Sequence, residues 1–139
     1  MDSHSPTTSV RVRYADTDQM GIAYYGIYLT WFEIGRTEVL RNVGLTYHEI
    51  EKLGFRLPVI EAGVQYLKPA RYDDVLTIET HFRKTRGWRL RFEYILWCNA
   101  EQIAAGFTEH VFTDKDLRPI KPSQDLRDYL KGFLEPEQQ

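Results

Sequence analysis

Two carboxylates one residue apart, Asp16 and Asp18, stand in a stretch from Tyr14 to Glu38 that reads YADTDQMGIAYYGIYLTWFEIGRTE. The acidic turn Asp16-Thr17-Asp18 is followed by a Gly21 loop and then by a long, nearly all-apolar helix that the pattern starts near Tyr25. A helix start leaves backbone N–H groups without partners and carries a partial positive charge. It therefore stabilises a carboxylate or a developing oxyanion placed before it. Asp18 lies seven residues before Tyr25, so one loop can bring a nucleophile or general base together with an oxyanion hole. The same Asp can instead cap the helix or close a turn, which is the commoner use of Asp at such a place.

Other chemistries find less support. Asp-x-Asp occurs in divalent-metal sites, but no further acidic or His ligands follow nearby, and Asp16 reads as support for the loop. His4, His48, His81 and His110 lack close metal-ligand spacing, so no metal is expected. Cys98, the single cysteine, lies in the apolar run FEYILWCN and reads as a buried, inert thiol; a disulfide framework is excluded. There is no Gly-rich phosphate loop. Eighteen basic and twenty acidic residues leave a net charge of −2, which gives no global case for nucleic acid or an anionic membrane. No signal peptide and no apolar run near the ~18 residues of a membrane span is found, so a cytoplasmic location is the default expectation.

The elements that must hold this loop can be read from periodicity. The 139 residues suffice for one domain with its own core. Met1 to Thr8 reads as a loose arm, residues 9–133 as the domain and residues 134–139 as a frayed tail. Val10, Val12 and Tyr14 alternate with Arg11 and Arg13, as in a half-buried strand. The helix from Tyr25 or Gly26 to Val43 is apolar over well over half its circumference and is expected to be enclosed. Glu33 with Arg36 and Glu38 with Arg41 should pair along one strip, Gly44 should end the helix, and Gly35 points to a close backbone approach. Thr46 and Glu49 open a short helix closed by Gly54. Four strands are expected at Leu57–Lys68, Val75–Thr85, Trp88–Asn99 and Gln102–Thr113, with turns at Arg86-Gly87 and Ala100-Glu101. Ser123 caps a last helix to about Phe133. Helices on one face of a mostly antiparallel sheet make an α+β domain in which one sheet wraps one helix.

With these residues in view, the chain resembles the hot-dog-fold thioesterases of the 4-hydroxybenzoyl-CoA type, including the short acyl-CoA thioesterases associated with the Tol-Pal system. The resemblance rests on Tyr14-Ala15-Asp16-Thr17-Asp18, Gly21, Tyr24-Tyr25, Tyr28, and Phe32-Glu33 with Arg36-Thr37-Glu38. A second motif is Lys68-Pro69-Ala70-Arg71-Tyr72-Asp73-Asp74-Val75-Leu76, and the similarity runs from about Val10 to Thr113. It implies a hot-dog fold, with a long central helix wrapped by a five-stranded antiparallel sheet. It also implies subunits that pair through their sheets, with active sites at the subunit interface.

The resemblance further implies an acyl-CoA thioesterase in which Asp18 is the catalytic carboxylate and the Tyr25 backbone N–H polarises the thioester carbonyl. Tol-Pal-associated members usually have His at the Tyr25 position and the 4-hydroxybenzoyl-CoA enzyme has Tyr; a backbone donor survives that exchange. Asp18 would attack the thioester to form an anhydride, or deprotonate a water. Gly21, Tyr24 and Tyr28 are candidate substrate-binding residues, and the aromatic ones serve equally as core. Glu33 is expected to be structural. Arg83, Lys84, Arg86, Arg89 and Arg91 cluster at a hairpin, where Arg86 and Arg89 suit the phosphates of coenzyme A or form a charged edge that discourages aggregation. No cofactor is expected, coenzyme A being part of the substrate, and the expected assembly is a dimer or tetramer. The alternatives are a thioesterase acting on acyl carrier protein and a non-catalytic acyl-CoA-binding module. A hot-dog dehydratase would want a His that the loop lacks.

Overall fold

Alternation of Leu76, Ile78, Thr80 and Phe82 puts four side chains on one face of a strand, and in the computed structural model all four are buried. The structure describes residues 6–132 and 134. In chain order the elements are β1 (Thr7–Arg11), a 3-10 turn (Tyr14–Asp16), α1 (Ile27–Asn42), α2 (Tyr47–Lys52), β2 (Val59–Tyr66), β3 (Val75–Lys84), β4 (Leu90–Cys98), β5 (Glu101–His110) and α3 (Gln124–Lys131). The five strands form one sheet in the order β1-β3-β4-β5-β2, with every neighbouring pair antiparallel. This is the hot-dog arrangement, with α1 lying in the curve of the sheet. Thr7 and Thr8 belong to β1 rather than to the arm; residues 1–5 and 135–139 lie outside the described residues. No helix among the described residues is long and apolar enough to cross a membrane.

The helix meets the sheet through one stripe, Tyr28, Trp31, Phe32, Gly35, Val39 and Leu40. Phe32 stacks on Tyr94 of β4 with ring centroids 4.2 Å apart. Gly35 lies where the expected close approach occurs: an added Cβ would fall on Thr80 Oγ1 and 2.8 Å from Ile78 Cγ2. The enclosure expected for α1 is only partial. Leu29, Thr30 and Glu33 are exposed, because the sheet curls around one side of the helix. Glu38 pairs with Arg41 at 3.3 Å, but Glu33 does not pair with Arg36. Arg36 is drawn inward instead and donates from Nε to Tyr47 Oη at 2.9 Å, so its cation is held by α2 rather than by its own helix.

The ends of the elements follow local chemistry. Gly44, at φ +78°, closes α1 by donating to the Arg41 carbonyl, and the Leu45 N–H donates to Leu40. The Thr46 and Ser123 hydroxyls accept from the N–H groups of Glu49 and Leu126. Asn99 and Ala100 are both left-handed, so the two-residue turn centres there and not on Ala100-Glu101. The strands β2 to β5 are eight to ten residues long, a little shorter than expected. Trp88, read as strand, sits in the β3–β4 loop, where the Thr85 N–H donates to the Arg89 carbonyl.

Candidate active site

The acidic turn separates its two carboxylates. Arg13 through Asp16 curls into a 3-10 turn, and the buried Asp16 accepts from the Arg13 N–H at 2.9 Å and from Arg13 Nη2 at 2.8 Å. Burial pushes the Asp16 carboxyl up, and the Arg13 bonds and charge outweigh it, holding the pKa below the ordinary range. The Asp16 carbonyl accepts the Tyr24 N–H at 2.8 Å. Asp16 is thus the internal support of the loop.

Asp18 sits at the head of a tight turn that reverses the chain. Its N–H donates to the Ile22 carbonyl at 2.9 Å, its carbonyl accepts from Gly21, and its Oδ1 accepts from the Met20 N–H at 2.8 Å. Gly21, at φ +79°, supplies the left-handed residue that this reversal needs. Oδ2 takes no hydrogen bond among the described residues, and Asp18 lines a cavity of about 370 Å³.

The second motif holds the first in place. The Ala23 N–H donates to the Ala70 carbonyl at 2.8 Å, Ile22 bridges Arg71, and the Val12 N–H donates to the Asp74 carbonyl at 2.9 Å. Lys68-Pro69-Ala70-Arg71 is therefore the opposite wall of the loop, and Lys68 and Pro69 line the cavity with Asp18.

Helix α1 begins at Ile27, two residues later than the sequence pattern suggests, and Tyr25 lies in the turn that leads into it. The Tyr24 carbonyl accepts the Ile27 N–H at 3.0 Å. A trans peptide points its C=O and N–H in opposite directions. Engagement of the Tyr24 carbonyl therefore turns the N–H of Tyr25 back out of the helix start, toward the incoming loop. That N–H has no acceptor among the described residues. Asp18 and Tyr25 line the same cavity.

Of the other anticipated residues, Tyr28 lines this cavity, buried; burial raises its pKa, and a hydrogen bond from the Ala70 backbone offsets this only in part. Gly21 and Tyr24 shape the loop from outside the cavity wall. The Tyr24 ring packs 4.5 Å from that of Tyr25 and over Gly26. Arg86 and Arg89 are not brought to Asp18 within one chain. They line a separate cleft of about 550 Å³ with Lys84, Trp88 and Lys121. The Asp18 loop is bonded to Arg71, just before β3, whereas the hairpin follows its far end, roughly 30 Å away along ten residues of strand. Cys98 is half-buried rather than fully buried, and burial with the nearby Asp74 and Glu101 charges raises its pKa away from thiolate.

The sequence reading passed over Tyr66, the last residue of β2, and Leu67 directly after it, which line the cavity. The available signal was their position directly before Lys68-Pro69-Ala70. It also passed over a buried polar chain behind α1. His110 Nδ1 donates to the Leu57 carbonyl at 3.1 Å, since a carbonyl only accepts. Nε2 then accepts from Thr108 Oγ1 at 2.8 Å, and Thr108 accepts from Tyr94 Oη at 2.7 Å. Arg36 bonds Tyr94 in turn. Burial pushes His110 down to about 4, so the imidazole is neutral.

The chain is similar to known proteins in sequence and in fold. The sequence profile of the thioesterase superfamily matches residues 20–105. YneP of Bacillus subtilis is 33% identical over 132 residues, 94% of this chain and 96% of that protein. The acyl-CoA thioesterase YbgC of Haemophilus influenzae is 37% identical over 116 residues, 81% of this chain and 82% of YbgC. Among solved structures, the DHNA-CoA thioesterase of Staphylococcus aureus superposes with a TM-score of 0.84 at 30% identity, covering 91% of this chain and 88% of that one. With residues 20–105 taking in Gly21, Tyr25, α1, α2 and β2 to β4, the chain belongs to the thioesterase superfamily.

Proposed function

We propose that the protein hydrolyses acyl-coenzyme A thioesters to a free carboxylic acid and coenzyme A. The observation that carries this reading is one cavity lined by both a carboxylate with an unbonded oxygen, Asp18, and a residue at a helix start with an unbonded N–H, Tyr25. A thioester carbonyl between them would receive electrons from one side and shed charge to the other.

In the nucleophilic route Asp18 Oδ2 bonds to the carbonyl carbon and the carbonyl oxygen becomes an oxyanion facing the Tyr25 N–H. Its collapse expels the coenzyme A thiolate, and water then cleaves the anhydride. In the general-base route Asp18 removes a proton from water, the resulting hydroxide adds to the carbon, and the thiolate leaves with that proton returned. A thiolate is a good leaving group, so neither route needs a strong general acid. The test is free-thiol release from short, long and aromatic acyl-CoAs and from the matching acyl carrier protein thioesters. Turnover of a CoA ester supports the reading. Turnover of the carrier-protein esters alone shifts it to that competitor, and binding without thiol release makes the protein a binding module.

The reading extends to a homo-oligomer, a dimer or tetramer. Edge strand β2 has no partner on its outer side among the described residues and exposes Val59 and Ile60, while Tyr66 and Leu67 at its end expose apolar surface beside the cavity. Sedimentation should give at least twice the chain mass; an active monomer would refute it.

Arg86 and Arg89 would then serve the phosphates of coenzyme A bound in a neighbouring subunit's cavity, since their own is too distant. The double substitution Arg86→Glu and Arg89→Glu should raise KM about tenfold or more at low salt and flatten its salt dependence. Unchanged KM and salt dependence would assign the pair to the charged edge.

A further inference from the structure

The turn that leads into α1 is held by a contact from the edge strand β2. Tyr66, at the end of β2, donates its hydroxyl to the Tyr25 carbonyl at 2.7 Å, across 41 residues of chain. At the helix start the Leu29 N–H bonds the Gly26 carbonyl. That tighter turn leaves the Tyr25 carbonyl without a backbone donor among the described residues, at the rim of the cavity. The phenol is a suitable donor. Burial, and then the neighbouring Tyr25, raise its pKa, so it keeps its proton throughout the neutral range. Its ring is fixed independently, edge-on against Tyr28 with centroids 4.8 Å apart.

We propose that Tyr66 is a positioning residue for catalysis: its hydroxyl locks the Tyr25 backbone so that the Tyr25 N–H stays aimed at the developing oxyanion. This rests on the thioesterase reading above. Three bonds bracket the amide between Tyr24 and Tyr25. The Tyr24 N–H donates to Asp16, the Tyr24 carbonyl accepts from Ile27, and the Tyr25 carbonyl accepts from Tyr66. The middle bond sets the plane of that amide, and the outer two hold the peptides on either side of it, Tyr66 the one after Tyr25. Without Tyr66 the peptide after Tyr25 is freed, the plane that carries the Tyr25 N–H can rock about the line joining its two Cα atoms, and the donor loses alignment with the oxyanion. An oxyanion donor contributes chiefly in the transition state. The loss therefore falls on turnover and not on substrate affinity.

Tyr66→Phe tests this, because it keeps the ring on Tyr28 and deletes one hydroxyl. With the acyl-CoA that the wild type turns over best, kcat should fall about tenfold. KM, and the affinity for an uncleavable thioether analogue of that substrate, should stay within about twofold. Tyr66→Leu, which also removes the ring, should add a rise in KM. An unchanged kcat in the Phe variant overturns the proposal, as does a rise in KM or a lost oligomer with kcat retained, which would make Tyr66 a packing residue. A wild type that turns over no thioester refutes the hydrolase reading itself, so the two failures are distinct.

Discussion

Asp18→Asn is expected to lower the rate of thiol release by about a thousandfold or more while leaving the loop intact. General-base catalysis contributes roughly a hundred- to ten-thousandfold, and loss of a nucleophile costs as much or more, so either route predicts a collapse of kcat. The amide is the informative replacement. Its oxygen can still accept the Met20 N–H that Oδ1 now accepts, and the remaining bonds of the turn, to Ile22 and Gly21, are made by the Asp18 backbone. Thermal midpoint and oligomeric mass should therefore match the wild type, and substrate should still bind. A loss smaller than tenfold would remove Asp18 from the chemistry. Asp16 would not replace it, because its carboxylate is buried and engaged by both the backbone and the guanidinium of Arg13.

Those two carboxylates mark where sequence reading succeeds and where it stops. In extended chain, residues i and i+2 lean to the same side, which makes Asp16 and Asp18 look like a pair. The 3-10 turn over Tyr14–Asp16 breaks that geometry and buries one of them. Sequence favoured Asp16 as a support by elimination; its actual partner, Arg13, three residues back, needed the fold. Gly21 and Gly35 were legible because glycine reports on backbone demands, a left-handed residue in one case and contact with Thr80 and Ile78 in the other. Strand faces were legible because period-two alternation is local. Leu76 through Phe82 needed no knowledge of what they pack against.

Contacts across many residues were not legible. Nothing near Tyr66 says that its hydroxyl meets a carbonyl 41 positions away. Arg36 looked like the partner of Glu33 because i,i+3 neighbours face each other on a helix. The phenol of Tyr47 competes for it only once α2 folds back against α1. Arg86 and Arg89 formed a cluster in sequence and form one in space, but their separation from Asp18 depends on which end of β3 each occupies. Whether that cluster belongs to the substrate site is a property of the assembly rather than of one chain.

His110 gives the second large expected effect, on stability. In the unfolded chain its imidazole titrates near the ordinary His value of about 6.5, whereas burial lowers it to about 4 in the folded protein. The unfolded state therefore takes up a proton first as pH falls. The contribution of the neutral, hydrogen-bonded His110 is fully present above about pH 6.5 and is lost progressively toward pH 4. Linkage puts the loss at about 2 kcal/mol by pH 5 and about 3 kcal/mol by pH 4. The geometry explains why the folded state resists the proton. Nδ1 already donates to Leu57, so a second N–H would arise at Nε2, facing Thr108. Thr108 would then have to accept there as well as from Tyr94, and its own hydroxyl proton would lose the Nε2 acceptor. Carboxylates elsewhere also titrate in this range, so the wild type alone cannot isolate the effect. His110→Gln is neutral at every pH and should be less stable than the wild type at pH 7. The gap in unfolding free energy should then narrow by about 2 kcal/mol on going to pH 5. A gap that stays constant from pH 7 to pH 5 would mean that His110 does not carry the acid sensitivity of this core.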